Sequence, residues 1–143
     1  MIIKQLSIFV ENTPGRLAAI TKAIGEVGVD IRALSIADTS DFGILRLIVN
    51  RPQEAVAALQ QQGLTVSLTD VLAVGIDDKP GALSDVVALM TENEINIEYM
   101  YAFISRSANQ AFVIMRTQVP EQALQVLQEQ GIRLPRTEEV YHM

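Results

Sequence analysis

The segment Glu11-Asn12-Thr13-Pro14-Gly15-Arg16-Leu17 returns 66 residues later as Asp77-Asp78-Lys79-Pro80-Gly81-Ala82-Leu83. Each copy follows an alternating apolar run and opens a helical pattern. A repeat of this length makes the chain two copies of one unit, assigned here to residues 1–70 and 71–143. A unit of about 70 residues buries only about 60% of its unfolded surface and is marginally stable alone. Packing of two units, or pairing with another chain, is expected to supply the rest.

In the first copy Leu6, Ile8 and Val10 alternate with Gln5, Ser7 and Phe9, the pattern of a half-buried strand. Pro14 suits the first turn of a helix, with Asn12 or Thr13 as its cap. Leu17, Ile20, Ile24 and Val27 form one helical stripe, and Gly28 ends it. Asp30 to Ala37 and Ile44 to Val49 read as strands around the Thr39-Ser40-Asp41 turn. Pro52 opens a second helix with Ala55, Val56 and Leu59 inward and Gly63 as its stop; Leu64 to Leu68 begins a fourth strand.

The second copy keeps this order. Leu72, Val74 and Ile76 match the first strand; Leu83, Val86 and Met90 match the first helix. Ala111 to Met115 is the third strand at an offset of 67, and Gly131 lies 68 residues after Gly63. The added residues are expected in loops, including the one around Ser105-Arg106-Ser107. The fold class is therefore α+β: two ferredoxin-like β-α-β-β-α-β units, each an antiparallel sheet with two helices on one face. Phe9, Tyr99, Tyr101 and Phe103 are candidates for the opposite face.

Composition removes many functions. The chain has 143 residues, 49% of them apolar and 20% charged, which is a globular balance. It has no cysteine, so disulfides, thiolate metal sites and cysteine nucleophiles are excluded. The only histidine is His142, so no Ser/His/Asp set forms around it with any conviction. The net charge of −6 divides as −1 in residues 1–70 and −5 in 71–143, which disfavours nucleic-acid partners. No signal peptide and no apolar stretch of about 20 residues is visible, so a cytoplasmic protein without a membrane segment is expected. Glu11, Asp77 and Asp78 sit near helix starts, where the helix dipole favours them. No metal-loop spacing surrounds them, and no metal or cofactor is expected.

The apolar strand, the Asn-Thr-Pro-Gly-Arg-Leu turn, the helix and the Gly28-Val29-Asp30-Ile31 strand start together resemble the ACT domain family. The resemblance covers essentially the whole chain, residues 1–70 as one ACT domain and 71–143 as a second. It implies a pseudo-two-fold pair of units and a non-catalytic regulatory module that binds a small molecule, most often a free amino acid, between two ACT domains. Such domains are attached to enzymes such as phosphoglycerate dehydrogenase and aspartate kinase. The resemblance also implies a homodimer and a regulated enzyme or transcription partner. A ligand-free interaction module and, more remotely, a small enzyme acting on amino-acid derivatives are the alternatives.

By the same resemblance the ligand lies along Asn12, Thr13, Pro14, Gly15, Arg16 and Leu17 and along Asp78, Lys79, Pro80, Gly81, Ala82 and Leu83, with Asp30-Ile31 and Asn96-Ile97 at the second-strand starts. In the serine-sensing ACT domain of phosphoglycerate dehydrogenase one asparagine precedes Pro-Gly and another starts the adjoining second strand. These positions hold Asn12 and Asp78, and Asp30 and Asn96. The histidine of that domain is replaced by Val10 and Ile76, which argues against serine. Pseudo-two-fold packing would pair Asn12 with Asn96 and Asp78 with Asp30. The neutral pair suits an amino acid, and the acidic pair an amine or cation. Glycine lets a ligand approach the backbone, and free N–H groups of the next helical turn suit a carboxylate. Leu34, Tyr99, Met100 and Tyr101 are further candidates for an apolar wall.

Overall fold

A computed structural model describes residues 1–38, 41–104 and 110–141. In chain order the elements are β1 (Ile2–Glu11), α1 (Arg16–Glu26), β2 (Ile31–Asp38), β3 (Phe42–Val49), α2 (Pro52–Gln61), β4 (Val66–Asp77), α3 (Ala82–Glu92), β5 (Tyr99–Ile104), β6 (Gln110–Arg116), α4 (Pro120–Glu129) and α5 (Thr137–Tyr141). They divide into two compact units. One comprises Lys4–Thr69, and the other Asp70–Tyr141 together with Met1–Ile3.

In the first unit the strand order is β2-β3-β1-β4. The antiparallel register pairs Leu6 with Leu47 and Ile8 with Leu45, so these four side chains share one face. That face meets Ile20, Ala23 and Ile24 of α1 and Ala55 and Leu59 of α2 in a single core. Each fully buried aliphatic side chain contributes about 1.5–3 kcal/mol to such a core.

The second unit, ordered β4-β6-β5, is built on the same positions. Among the described residues its core cluster holds Leu72, Val74, Val86, Met90, Ile95, Val113, Met115, Ala123 and Leu127. Every one is the repeat counterpart of a buried core residue of the first unit, from Leu6 and Ile8 to Ala55 and Leu59. The offset is 66 as far as Val29 and Ile95. It becomes 68 from Leu45 and Val113 onward, because Ile8 pairs with Leu45 while Val74 pairs with Val113. Both added residues therefore lie between β5 and β6, and the third-strand offset of 67 is corrected to 68. Tyr99, Tyr101 and Phe103 stand on the face away from this core, since Met100 and Ala102 pair with the core residues Met115 and Val113.

Three further points differ from the sequence expectation. Residues 66–77 form one strand, so β4 supplies the last strand of the first unit up to Thr69 and the first strand of the second from Asp70. The second unit has no full fourth strand among its described residues. A single bridge, Gly75 to Arg133, precedes α5. Pro135 lacks the N–H a ladder needs, and Met1 takes the adjacent edge: the Ala73 amide donates to Met1 O at 3.0 Å. Finally, Leu17 and Val27 lie on the α1 stripe but are exposed, and the helix buries Ile20, Ala23 and Ile24 instead. The Thr39-Ser40 part of the first β-turn, the Ser105-Arg106-Ser107 loop and His142 lie outside the described residues.

Candidate functional site

The Pro-Gly segments are type II turns. Arg16 N–H donates to Thr13 O at 3.4 Å, and Ala82 N–H donates to Lys79 O at 3.3 Å. Proline occupies the first central position and glycine the second, where φ must be positive. Gly15 has φ 88° and ψ −13°, and Gly81 has φ 90° and ψ −17°. The helices thus begin after the glycine, at Arg16 and Ala82, rather than at the proline. Gly15 and Gly81 occupy the N-cap positions, and no described side chain caps either helix. The expectation that Asn12 or Thr13 caps α1 is corrected accordingly. The first helical amides of Leu17 and Ala18 are left for a ligand or water. No described residue beyond its own chain neighbours and helix lies within 4 Å of a Cβ built on Gly15 or Gly81, so the approach to each backbone is open.

Beside the first turn is a cavity of about 130 Å³. Asn12, Thr13, Arg16 and Leu17 line it from the loop and helix, with Ile36 from β2 and Leu45 from β3. Its wall is mostly apolar. Leu17 and Ile36 are 44% and 49% exposed, and β2 is the edge strand of the unit. The Glu11 carboxylate accepts from Arg16 Nη2 at 3.3 Å next to the turn. Asn12 is held by its backbone, whose N–H donates to Asp41 O at 2.9 Å.

The other expected site residues are distributed as follows. Asp30 and Ile31 stand at the opposite end of the sheet of their unit from Asn12, because Ile31 pairs with Val49 while Glu11 pairs with Phe42. The Asp30 carboxylate accepts from Arg32, and its backbone N–H donates to Asn50 Oδ1 at 2.9 Å. Ile31 and Ile97 pack against the cores of their own units. Asn96 is exposed before β5. In the second unit Lys79 and Ala82 line a cavity of about 260 Å³. Asp78 and Gly81 are exposed in the turn, and Leu83 is 39% exposed. Sequence reasoning missed Ile36 and Leu45 in the first cavity, and Asp85, Gln110 and Arg133 in the second.

No group of three or more His, Asp or Glu among the described residues is placed to hold a metal ion. No described helix is long and apolar enough to cross a membrane.

Residues 1–143 match the family model of the ACT domain pair. A Bacteroides thetaiotaomicron protein of known crystal structure is 37% identical, with a TM-score of 0.94 over 100% of this chain and 98% of its own. The ligand-free regulatory subunit of aspartate kinase from Thermus thermophilus shares the fold at 18% identity and a TM-score of 0.64, covering 90% of this chain and 96% of its own. The corresponding Thermus flavus subunit gives 20% identity and a TM-score of 0.62, covering 90% and 94%. No relative among the curated proteins matches the chain.

Proposed function

From the premise that this chain belongs to the ACT domain family as a tandem pair, we propose that it is a non-catalytic regulatory protein that binds a free amino acid at the Asn12 turn. The observation that carries this reading is the open Gly15 backbone beside an apolar cavity bearing Asn12. The ligand carboxylate is assigned to the free amides of the first turn of α1, where the helix dipole assists. Its ammonium is assigned to the Asn12 amide oxygen and the Glu11 carboxylate, and its side chain to Leu17 and Ile36. The apolar wall favours an aliphatic or otherwise poorly polar side chain.

The pairing of Asn12 with Asn96, and of Asp78 with Asp30, is part of the same proposal and rests on the family resemblance. So do the two-domain boundaries at 1–70 and 71–143, the homodimer and a regulated enzyme or transcription partner. Ligand binding would order the turn, and a partner sensitive to that order would read the change.

A thermal-shift screen of the twenty amino acids tests the reading, because a ligand that binds only the folded chain raises the melting temperature by mass action. A specific rise with a few related amino acids supports it, and no shift with any of them defeats it. The latter result would favour the second reading, an interaction module. The specific observation behind that reading is Leu34 and Ile36, 56% and 49% exposed on the edge strand β2, whose unpaired backbone is a template for another chain.

A further inference from the structure

The second unit carries a cavity that the Asn12 site does not explain. It holds about 260 Å³ beside the Gly81 turn, and its polar lining is Asp77, Lys79, Asp85, Gln110 and Arg133. The first unit has the counterpart, a hollow of about 200 Å³ lined by Phe9, Phe42 and Thr65 among others. The equivalence is fixed by hydrogen bonds. Phe9 N–H donates to Thr65 O at 3.4 Å, and Gly75 N–H donates to Arg133 O at 2.8 Å. Glu11 pairs with Phe42 as Asp77 pairs with Gln110.

Matched this way, the two hollows differ at several positions, and not all in one direction: Arg16 of the first becomes Ala82 in the second. In the first, the Phe9 and Phe42 rings stack with centroids 5.0 Å apart. In the second, Gly75 and Gln110 replace both rings and Arg133 replaces Thr65, while Asp85 joins the lining from the position of Ala19, which does not line the first hollow. Some of these changes have local reasons. Glycine at 75 leaves room for Arg133, whose Cβ and Cγ lie 3.3 Å from where an alanine Cβ would stand. The Arg133 guanidinium lies 5.6 Å from the Phe112 ring centre and donates to Glu139 Oε1 at 2.9 Å. Lys79 faces Asp77 at 3.8 Å.

Two groups are left over, and both are acceptors. Gln110 Oε1 is buried with no hydrogen-bond partner among the described residues. The Asp85 carboxylate is exposed in the first turn of α3, has no hydrogen bond or ion pair among the described residues, and lines the same cavity. A buried acceptor is kept in a folded chain where something donates to it, and a cavity ringed by convergent polar groups is a default binding site. The two cations of the lining are turned toward carboxylates, so the cavity offers the buried Gln110 acceptor and the Asp85 charge, a combination that suits N–H donors with positive charge. We infer that this cavity is a second ligand site, separate from the Asn12 cavity, which takes a small molecule bearing a protonated primary amine. The amine donates to Gln110 Oε1 and Asp85, and the volume limits the ligand to about the size of an amino acid.

The test uses the full chain and three probes, ethanolamine and putrescine against uncharged ethylene glycol. NMR follows the Gln110 side-chain amide, and calorimetry follows binding. Asp85→Ala and Gln110→Phe install residues that the first unit already carries at these positions, so both variants are expected to fold; Asn12→Ala is the control. The expected result is a saturable shift of the Gln110 amide with at least one amine and none with ethylene glycol. Asp85→Ala should weaken binding about tenfold, as loss of a charge-assisted hydrogen bond does, and Asn12→Ala should leave it unchanged. No saturable shift with either amine, an equal response to ethylene glycol, or full affinity in both cavity variants would overturn the assignment. Each of those results leaves the Asn12 reading standing.

Discussion

Gly15→Ala and Gly25→Ala are the same substitution in the same stretch of chain, and the structure requires them to act in opposite directions. Neither site is crowded: no described residue beyond its own chain neighbours and helix lies within 4 Å of a Cβ built on either glycine. The difference is backbone conformation alone. Gly15 has φ 88° in the second central position of the type II turn. A non-glycine residue there costs about 1–2 kcal/mol. Reduced freedom of the unfolded chain returns about 0.4–1 kcal/mol, so Gly15→Ala should destabilise by about 1 kcal/mol. Gly25 is inside α1, where alanine is better than glycine by about 0.5–1 kcal/mol. For a chain of this size about 1 kcal/mol moves the melting temperature by roughly 2–4 °C. The two variants should therefore straddle the wild type, separated by about 5 °C in thermal unfolding followed by circular dichroism. Movement of both in the same direction would refute the turn assignment, and with it the open backbone on which the binding proposal rests.

Two other substitutions follow from the same geometry. Glu94 occupies the position of Gly28 and holds φ 56°, whereas Gly28 holds φ 70°. Glu94→Gly should raise stability by up to about 1 kcal/mol, read from the urea unfolding midpoint. Glu139 accepts the Arg136 backbone N–H at 2.7 Å, and this bond, with the Arg133 charge, lowers its pKa. A depressed carboxylate contributes stability above its unfolded pKa and loses it as pH falls through the lower folded value. Glu139→Gln should therefore cost less than about 1 kcal/mol at neutral pH, because the group is near the surface. The difference from wild type should vanish as pH drops below about 4.

The repeat and its phases were legible because burial follows apolar alternation directly. Leu6, Ile8, Leu72 and Val74 are all fully buried, on the face their spacing assigns. The continuity of β4 was not legible. Thr69-Asp70 reads as a boundary, yet both residues pass through a strand without needing a turn conformation. Pro14 followed the helix-start preference of proline, but Pro-Gly satisfies a type II turn equally well, and Gly15 decides between them. Leu17 shows the limit of helical periodicity, which identifies a stripe but not what covers its first turn. It stands exposed at the cavity. The polar cavity of the second unit was hidden by one residue of register. At an offset of 67 Gln110 aligns with Gly43, and only at 68 does it replace Phe42, which exposes the loss of the aromatic stack.

The central claim is that the Asn12 turn binds a free amino acid. The most direct measurement is calorimetric titration of the amino acid giving the largest thermal shift into the wild-type chain and into Asn12→Ala. The account predicts saturable binding to the wild type that Asn12→Ala weakens by about tenfold, the effect of losing one hydrogen bond to a charged group, with the melting temperature of the unliganded variant little changed. Equal affinity in both proteins, or no binding of any amino acid to the wild type, would contradict it.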